Sequence, residues 1–103
     1  MGKEYFKHWN NHDIDELKKL FTPKIELRDW DNEFIGIESV IDENKNIFKS
    51  FPNIFAEIIL IVQSQNIVII QIVVHLSSEE SIDVIDVLEV EENKINKIRA
   101  YKG

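Results

Sequence analysis

Ile54-Phe55-Ala56-Glu57-Ile58-Ile59-Leu60-Ile61-Val62-Gln63, then Ser64-Gln65-Asn66, then Ile67-Val68-Ile69-Ile70-Gln71-Ile72-Val73-Val74-His75-Leu76, is the stretch that decides the fold. β-Branched residues dominate both runs, and such side chains suit a pleated surface. The polar break between the runs reads as a hairpin turn. Both runs are apolar at consecutive positions, which predicts a hairpin buried on much of both faces. Downstream, Ser77 to Glu80 reads as a turn, Ser81 to Val90 as a strand, Glu91 to Asn93 as a turn and Lys94 to Tyr101 as the last strand.

Upstream of the hairpin the period changes. Tyr5, Phe6 and Trp9 fall on one face of a helix over residues 3 to 11, broken at Asn10-Asn11-His12. Asp13 is a good N-cap, with Glu16 three residues later, and Ile14, Leu17, Leu20 and Phe21 make the stripe of a second helix that Pro23 stops. Lys24 to Trp30 alternates as a strand does, Asp31-Asn32 is a turn, and Glu33 to Gly36 is a short returning strand. Ile37, Val40, Ile41, Asn44, Ile47, Phe48 and Phe51 then keep helical spacing until Pro52-Asn53. Helices first and sheet last is an α+β order, and a strongly bent sheet wrapped over three helices suits it.

The 103 residues fit one domain, 1–103, with no linker or repeat. Nineteen acidic against twelve basic residues leave a net charge of −7, which repels phosphate and disfavours nucleic acid and anionic membranes as partners. The chain has no cysteine, so disulfides, thiolate metal sites and cysteine nucleophiles are excluded. The first residues lack the apolar core of a signal peptide, and the longest unbroken apolar run, Ile58 to Val62, is too short to span a bilayer. A cytoplasmic protein is expected.

Two acids stand where acids are rare. Asp29 shares its alternating face with Ile25 and Leu27, and Asp86 shares its face with Ile82, Val84, Leu88 and Val90. A carboxylate on a core-facing stripe must be paired, neutral or lining a cavity. Desolvation is expected to raise both pKa values, as suits a base near neutrality or a protonated hydrogen-bond donor. The structural alternatives are that Asp29 caps the Asp31-Asn32 turn and that Asp86 pairs with Arg99 or a backbone group.

The residues Asn10-Asn11-His12-Asp13-Ile14-Asp15-Glu16-Leu17 with Leu20-Phe21, the Leu27-Arg28-Asp29 strand leading to Gly36, and the ending Ile85-Asp86-Val87 through Ile98-Arg99-Ala100-Tyr101 resemble the nuclear transport factor 2-like superfamily. That superfamily includes ketosteroid isomerases and SnoaL-type polyketide cyclases, and the likeness covers nearly the whole chain. It implies a cone-shaped, curved antiparallel sheet closed by three helices (a cystatin-like roll) around a mostly apolar pocket. It also implies a homodimer through the outer sheet face and a reaction that needs no cofactor. By position, Asp29 looks like the isomerase's general base, Tyr5 like its oxyanion-hole tyrosine and Asp86 like its protonated aspartic acid. Where the isomerases usually have Pro after the base, this chain has Trp30.

Other residues keep two readings. Trp9, Trp30, Phe34, Phe48, Phe51 and Phe55 could line a pocket for a small apolar molecule or simply fill the core, with Trp9 and Phe34 expected near its mouth. His75, ending an Ile/Val-rich strand, could be a second base inside the cone or a satisfied edge residue. His8 and His12 are four apart, but the break between them should keep them off a common face, and no metal site is expected. His12 stands where relatives in the resembled family often have Gly, which implies a helix-end conformation. Two functions therefore stand at this level. One is an isomerase-, dehydratase- or cyclase-type enzyme acting next to a carbonyl. The other is a non-catalytic ligand-binding or dimeric association domain of the same fold.

Overall fold

The computed structural model describes residues Met1–Gly103. Helices α1 (Gly2–Asn10) and α2 (Ile14–Leu20) lead into strands β1 (Phe21–Arg28) and β2 (Glu33–Ile35). Helix α3 (Ile37–Ser50) follows, and then β3 (Phe55–Ser64), β4 (Ile67–His75), β5 (Ser81–Glu91) and β6 (Lys94–Lys102). The six strands form one curved, unclosed sheet in the order β2-β1-β6-β5-β4-β3. None of the helices is long and apolar enough to cross a membrane.

Local chemistry sets the element ends. Asp13 caps α2 by accepting from the Glu16 backbone N–H at 3.2 Å. His12 takes φ 52°, the left-handed helix-end conformation that the resemblance implies. Its Nε2 donates to the Ile54 carbonyl at 2.8 Å, and its ring stacks on Phe48. Gly36 enters α3 at φ 91°, a conformation costly for any residue with a Cβ. The two-residue loop Glu92-Asn93 has positive φ at both positions, as a type I′ hairpin turn between β5 and β6 requires.

The sheet is mixed rather than wholly antiparallel. Strands β1 and β6 run parallel, whereas every other pair is antiparallel. Their register jumps between Phe21 and Glu26, a stretch that contains Pro23, which has no N–H to give a ladder. Helix α2 therefore stops at Leu20, and Phe21 already belongs to β1. Further irregularities lie at Ile58/Leu60 in β3 and Glu89/Val90 in β5, and such bulges bend a strand and increase its twist.

Burial separates the two sheet faces. Val68, Ile70, Ile72 and Val74 of β4, Val84 and Leu88 of β5, and Ile95 and Ile98 of β6 are buried against the helices. The helices reply with Tyr5, Phe6, Trp9, Leu17, Val40 and Phe48. The hairpin is thus covered on its inner face only, and Leu60, Val62, Ile69 and Ile85 remain exposed on the other. At the free edge of β3, Asn10 acts as a substitute strand. Its Nδ2 donates to the Ala56 carbonyl at 2.9 Å, and its Oδ1 accepts from the Ala56 N–H at 2.7 Å.

Candidate functional site

Between the inner sheet face and helices α1 and α3 lies a cavity of ≈ 250 Å³, just below the roughly 300 Å³ at which typical small-molecule sites begin. Of its 19 lining residues, 15 are apolar, and the other four are Asp29, Glu43, Asn44 and Asp86. Tyr5 and Trp9 reach it from α1, Ile72 and Val74 from β4, Val84 and Asp86 from β5, and Ile98 and Ala100 from β6. Trp30 and Phe51 are exposed and Asp29 and Glu43 half-buried, which places these four at the rim. Tyr5, Trp9, Asn44 and Asp86 are buried and form the deep end.

Asp86 follows the inward alternation of β5, between Val84 and Leu88. Only 7 % of it is exposed, yet its carboxyl makes no hydrogen bond or ion pair with any other group of the protein. The Arg99 partnership suggested by the sequence does not form, because Arg99 Nη1 instead donates to Glu89 Oε2 at 3.2 Å. Both residues lie on the outer face, opposite to Asp86. Burial pushes the Asp86 carboxyl up to about 7. Tyr5 also has no hydrogen-bond partner for its hydroxyl, and burial, then the nearby Asp86 charge, hold that phenol firmly protonated. Two protonatable oxygens thus share the deep end of an apolar cavity.

Asp29 is not on a strand. Strand β1 ends at Arg28, because Asp29 Oδ1 captures the backbone N–H groups of Asp31 at 2.8 Å and Asn32 at 2.7 Å, an Asx-type turn. The turn-capping reading of Asp29 is therefore realised, and Asp29 is still among the residues that line the cavity. Its other oxygen, Oδ2, makes no hydrogen bond with the protein. Glu43, at the middle of α3, is its acidic neighbour, and burial, then the Asp29 charge, raise the Glu43 carboxyl above its ordinary value.

Of the residues singled out in the sequence, Tyr5, Trp9, Asp29, Trp30, Phe51 and Asp86 line the one cavity. Phe34, Phe48, Phe55 and His75 do not, and Trp9 lies at the deep end rather than near the mouth. Phe48 is buried between Trp9 and His12 as core, and Phe34, on the short β2, packs half-buried against the core instead of standing at the mouth. His75 ends the interior strand β4, where its ring stacks on Phe55 and its Nε2 donates to Glu57 Oε1 at 3.0 Å, so it is satisfied but not on a sheet edge. Asn44 and Glu43 were missed. Asn44 had a signal, a lone amide in the apolar stripe of α3. It accepts from Trp9 Nε1 at 3.0 Å and donates to the Val40 carbonyl at 2.9 Å. No group of three or more His, Asp or Glu side chains is set to hold a metal ion.

The SnoaL-like domain family matches residues 3–98 of this chain. A search of curated protein sequences finds no match. Among solved structures, an uncharacterised cystatin-fold protein from Novosphingobium aromaticivorans is similar over 96% of this chain and 92% of its own, with 19% identity and a TM-score of 0.88. A protein assigned as a polyketide cyclase, from Sinorhizobium meliloti, is similar over 96% and 91%, with 14% identity and a TM-score of 0.88. One assigned as a ketosteroid isomerase, from Kribbella flavida, is similar over 99% and 74%, with 12% identity and a TM-score of 0.87. At these identities the likeness establishes the nuclear transport factor 2-like fold alone.

Proposed function

The chain belongs to the SnoaL-like domain family, and from that premise we propose that it is an enzyme that moves a proton next to the carbonyl of a small, mainly apolar substrate. The observation that carries this reading is Asp86. The Asp86 carboxyl and the Tyr5 hydroxyl have no protein partner and are open to the cavity, so both are free to hydrogen-bond whatever enters it. A carbonyl oxygen suits both groups, since each is a donor when protonated.

In this reading the carbonyl points inward. Asp29 Oδ2 removes a proton from the carbon α to it. The C–H electron pair becomes the new C=C bond, and the carbonyl π pair moves onto oxygen. Tyr5 O–H and the protonated Asp86 O–H donate to that oxyanion, which low local polarity makes worth more than in water. In a β,γ-unsaturated substrate the enolate pair extends through the double bond to the γ carbon, which takes the proton back from Asp29 and completes an isomerisation. In a β-hydroxy substrate the enolate pair expels the hydroxyl, which takes that proton and leaves as water. The cavity volume favours substrates smaller than a steroid.

The turn bonds of Asp29 favour a second reading, a ligand-binding domain without turnover. Titration with small phenols separates the two, with absorbance reporting whether the bound phenol is ionised. The catalytic reading predicts a bound phenolate whose ionisation is lost in Tyr5→Phe and Asp86→Ala. Binding of neutral phenol only supports the second reading and refutes the first. We further propose that the outer sheet face makes a homodimer. Leu60, Val62, Ile69, Ile85 and Tyr101 are exposed there, and the registers Val62↔Ile69 and Ile85↔Tyr101 bring them together.

A further inference from the structure

We propose that the ligand of this cavity carries an ammonium group, and that Glu43 at the rim receives it. The ligand's orientation, carbonyl inward and amine outward, rests on the acid/base reading above; the charge preference rests on the lining alone.

Every charged side chain on the cavity wall is a carboxyl: Asp29, Glu43 and Asp86. No Lys, Arg or His lines it. None of the three carboxyls belongs to an ion pair; the pairs of this chain are Lys18–Glu38, Lys19–Glu16, His75–Glu57 and Arg99–Glu89, all elsewhere. Lys102 comes near only by lying over the Trp30 ring, its Nζ 5.7 Å from the centroid, and it neither lines the cavity nor pairs with an acid. With a net charge of −7, the rest of the protein does not offset this negative wall.

The acids divide by depth. Asp86 is buried and unpartnered at the closed end, and its proton serves as a donor to the ligand. Asp29 and Glu43 stand at the rim close enough to repel each other. An apolar ligand without charge desolvates both and compensates neither. An anionic ligand adds a third negative charge. An ammonium beside Glu43 relieves the repulsion, and the aromatic walls of Trp30 and Phe51 suit a cation as well as an apolar body. During turnover the same ammonium offsets charge developing on the inward oxygen. The substrate class is thus a small amino ketone or a related carbonyl compound bearing an amine, and carboxylic acids are rejected.

The two tryptophans of the chain, Trp9 and Trp30, both line the cavity, so intrinsic fluorescence reads occupancy. Cyclohexylammonium, cyclohexanol and cyclohexanecarboxylate, titrated at neutral pH and low salt, share one apolar body and differ in charge. We expect the ammonium to bind at least about tenfold tighter than the alcohol, and the carboxylate to bind weakest. In Glu43→Gln the ammonium should lose its advantage, so that ammonium and alcohol bind within about twofold of each other. An alcohol that binds as tightly as the ammonium, a preference that survives Glu43→Gln, or no binding by any of the three overturns the proposal. Tyr5→Phe keeps the two levels apart, because it should abolish phenol ionisation and retain the ammonium preference. Ammonium preference without phenol ionisation refutes the acid/base reading alone, and phenol ionisation without ammonium preference refutes the present proposal alone.

Discussion

Replacing Asp86 by Asn should stabilise the protein above neutral pH and do much less in acid. The folded structure holds this carboxyl at about 7, against an ordinary value of 3.8, because burial disfavours its charged form. Between those two values the folded chain keeps a proton that the unfolded chain has released. Stability contributed by this group is therefore full below about pH 4, declines as pH rises and is lost above about 7. The difference corresponds to roughly 4 kcal/mol, an upper bound. Asn is close to isosteric and never ionises, and Asp86 makes no protein hydrogen bond that the change would break. Urea unfolding followed by tryptophan fluorescence at about pH 4.5, 6 and 8 measures the effect, and subtracting parent from variant isolates this one group. We expect a gain of about 2–4 kcal/mol at pH 8 that shrinks to about 1 kcal/mol at pH 4.5. A loss of more than about 1 kcal/mol at pH 8 would refute the reasoning, since it would mean that Asp86 is a satisfied structural acid.

Four other outcomes follow from single contacts. Asn44→Leu keeps the apolar volume but strands the buried Trp9 N–H, and should cost about 1–3 kcal/mol in chemical unfolding. Asn10→Ala removes both bonds to the Ala56 backbone at the β3 edge, and a loss of about 2 kcal/mol in the same assay is expected. Asp29→Asn keeps an oxygen for the turn and should unfold within about 0.5 kcal/mol of the parent, whereas Asp29→Ala should lose about 1 kcal/mol. Ile85→Glu places a charge on the proposed dimer face and should yield a monomer by light scattering, with phenol binding intact.

The fold was legible because its signals are local and mutually consistent. The break at Asn10-Asn11-His12, the Asp13 cap, the stripe of α3 and the polar turns between Ile/Val runs each specify an element without help from the rest of the chain. Strand direction was not legible. The parallel β1–β6 pair joins the two ends of the chain, and alternation along a strand carries no record of its partner's direction. At the site, Asp86 was legible because β5 alternates cleanly through it. Asp29 was found for a partly mistaken reason, since its carboxyl ends the strand it was read as continuing. Asn44 obeyed the same logic as the acids, a polar residue on an apolar stripe, and an amide was a weaker alarm than a charge. Glu43 had no such signal, because only the approach of the Asp29 turn gives it meaning. Phe34, Phe48 and His75 show the converse, that aromatic identity alone does not distinguish cavity wall from core or strand end.

The proposed chemistry depends on a protonated Asp86 in the cavity beside Tyr5. Titration of the Asp86 carboxyl carbon by ¹³C NMR, assigned with Asp86→Asn and repeated with a phenol bound, tests this directly. We expect titration at about 7 in the free protein and a further rise when the phenol is bound. Titration in the ordinary carboxylate range, about 4, unmoved by the phenol, would contradict a proton held there for the ligand.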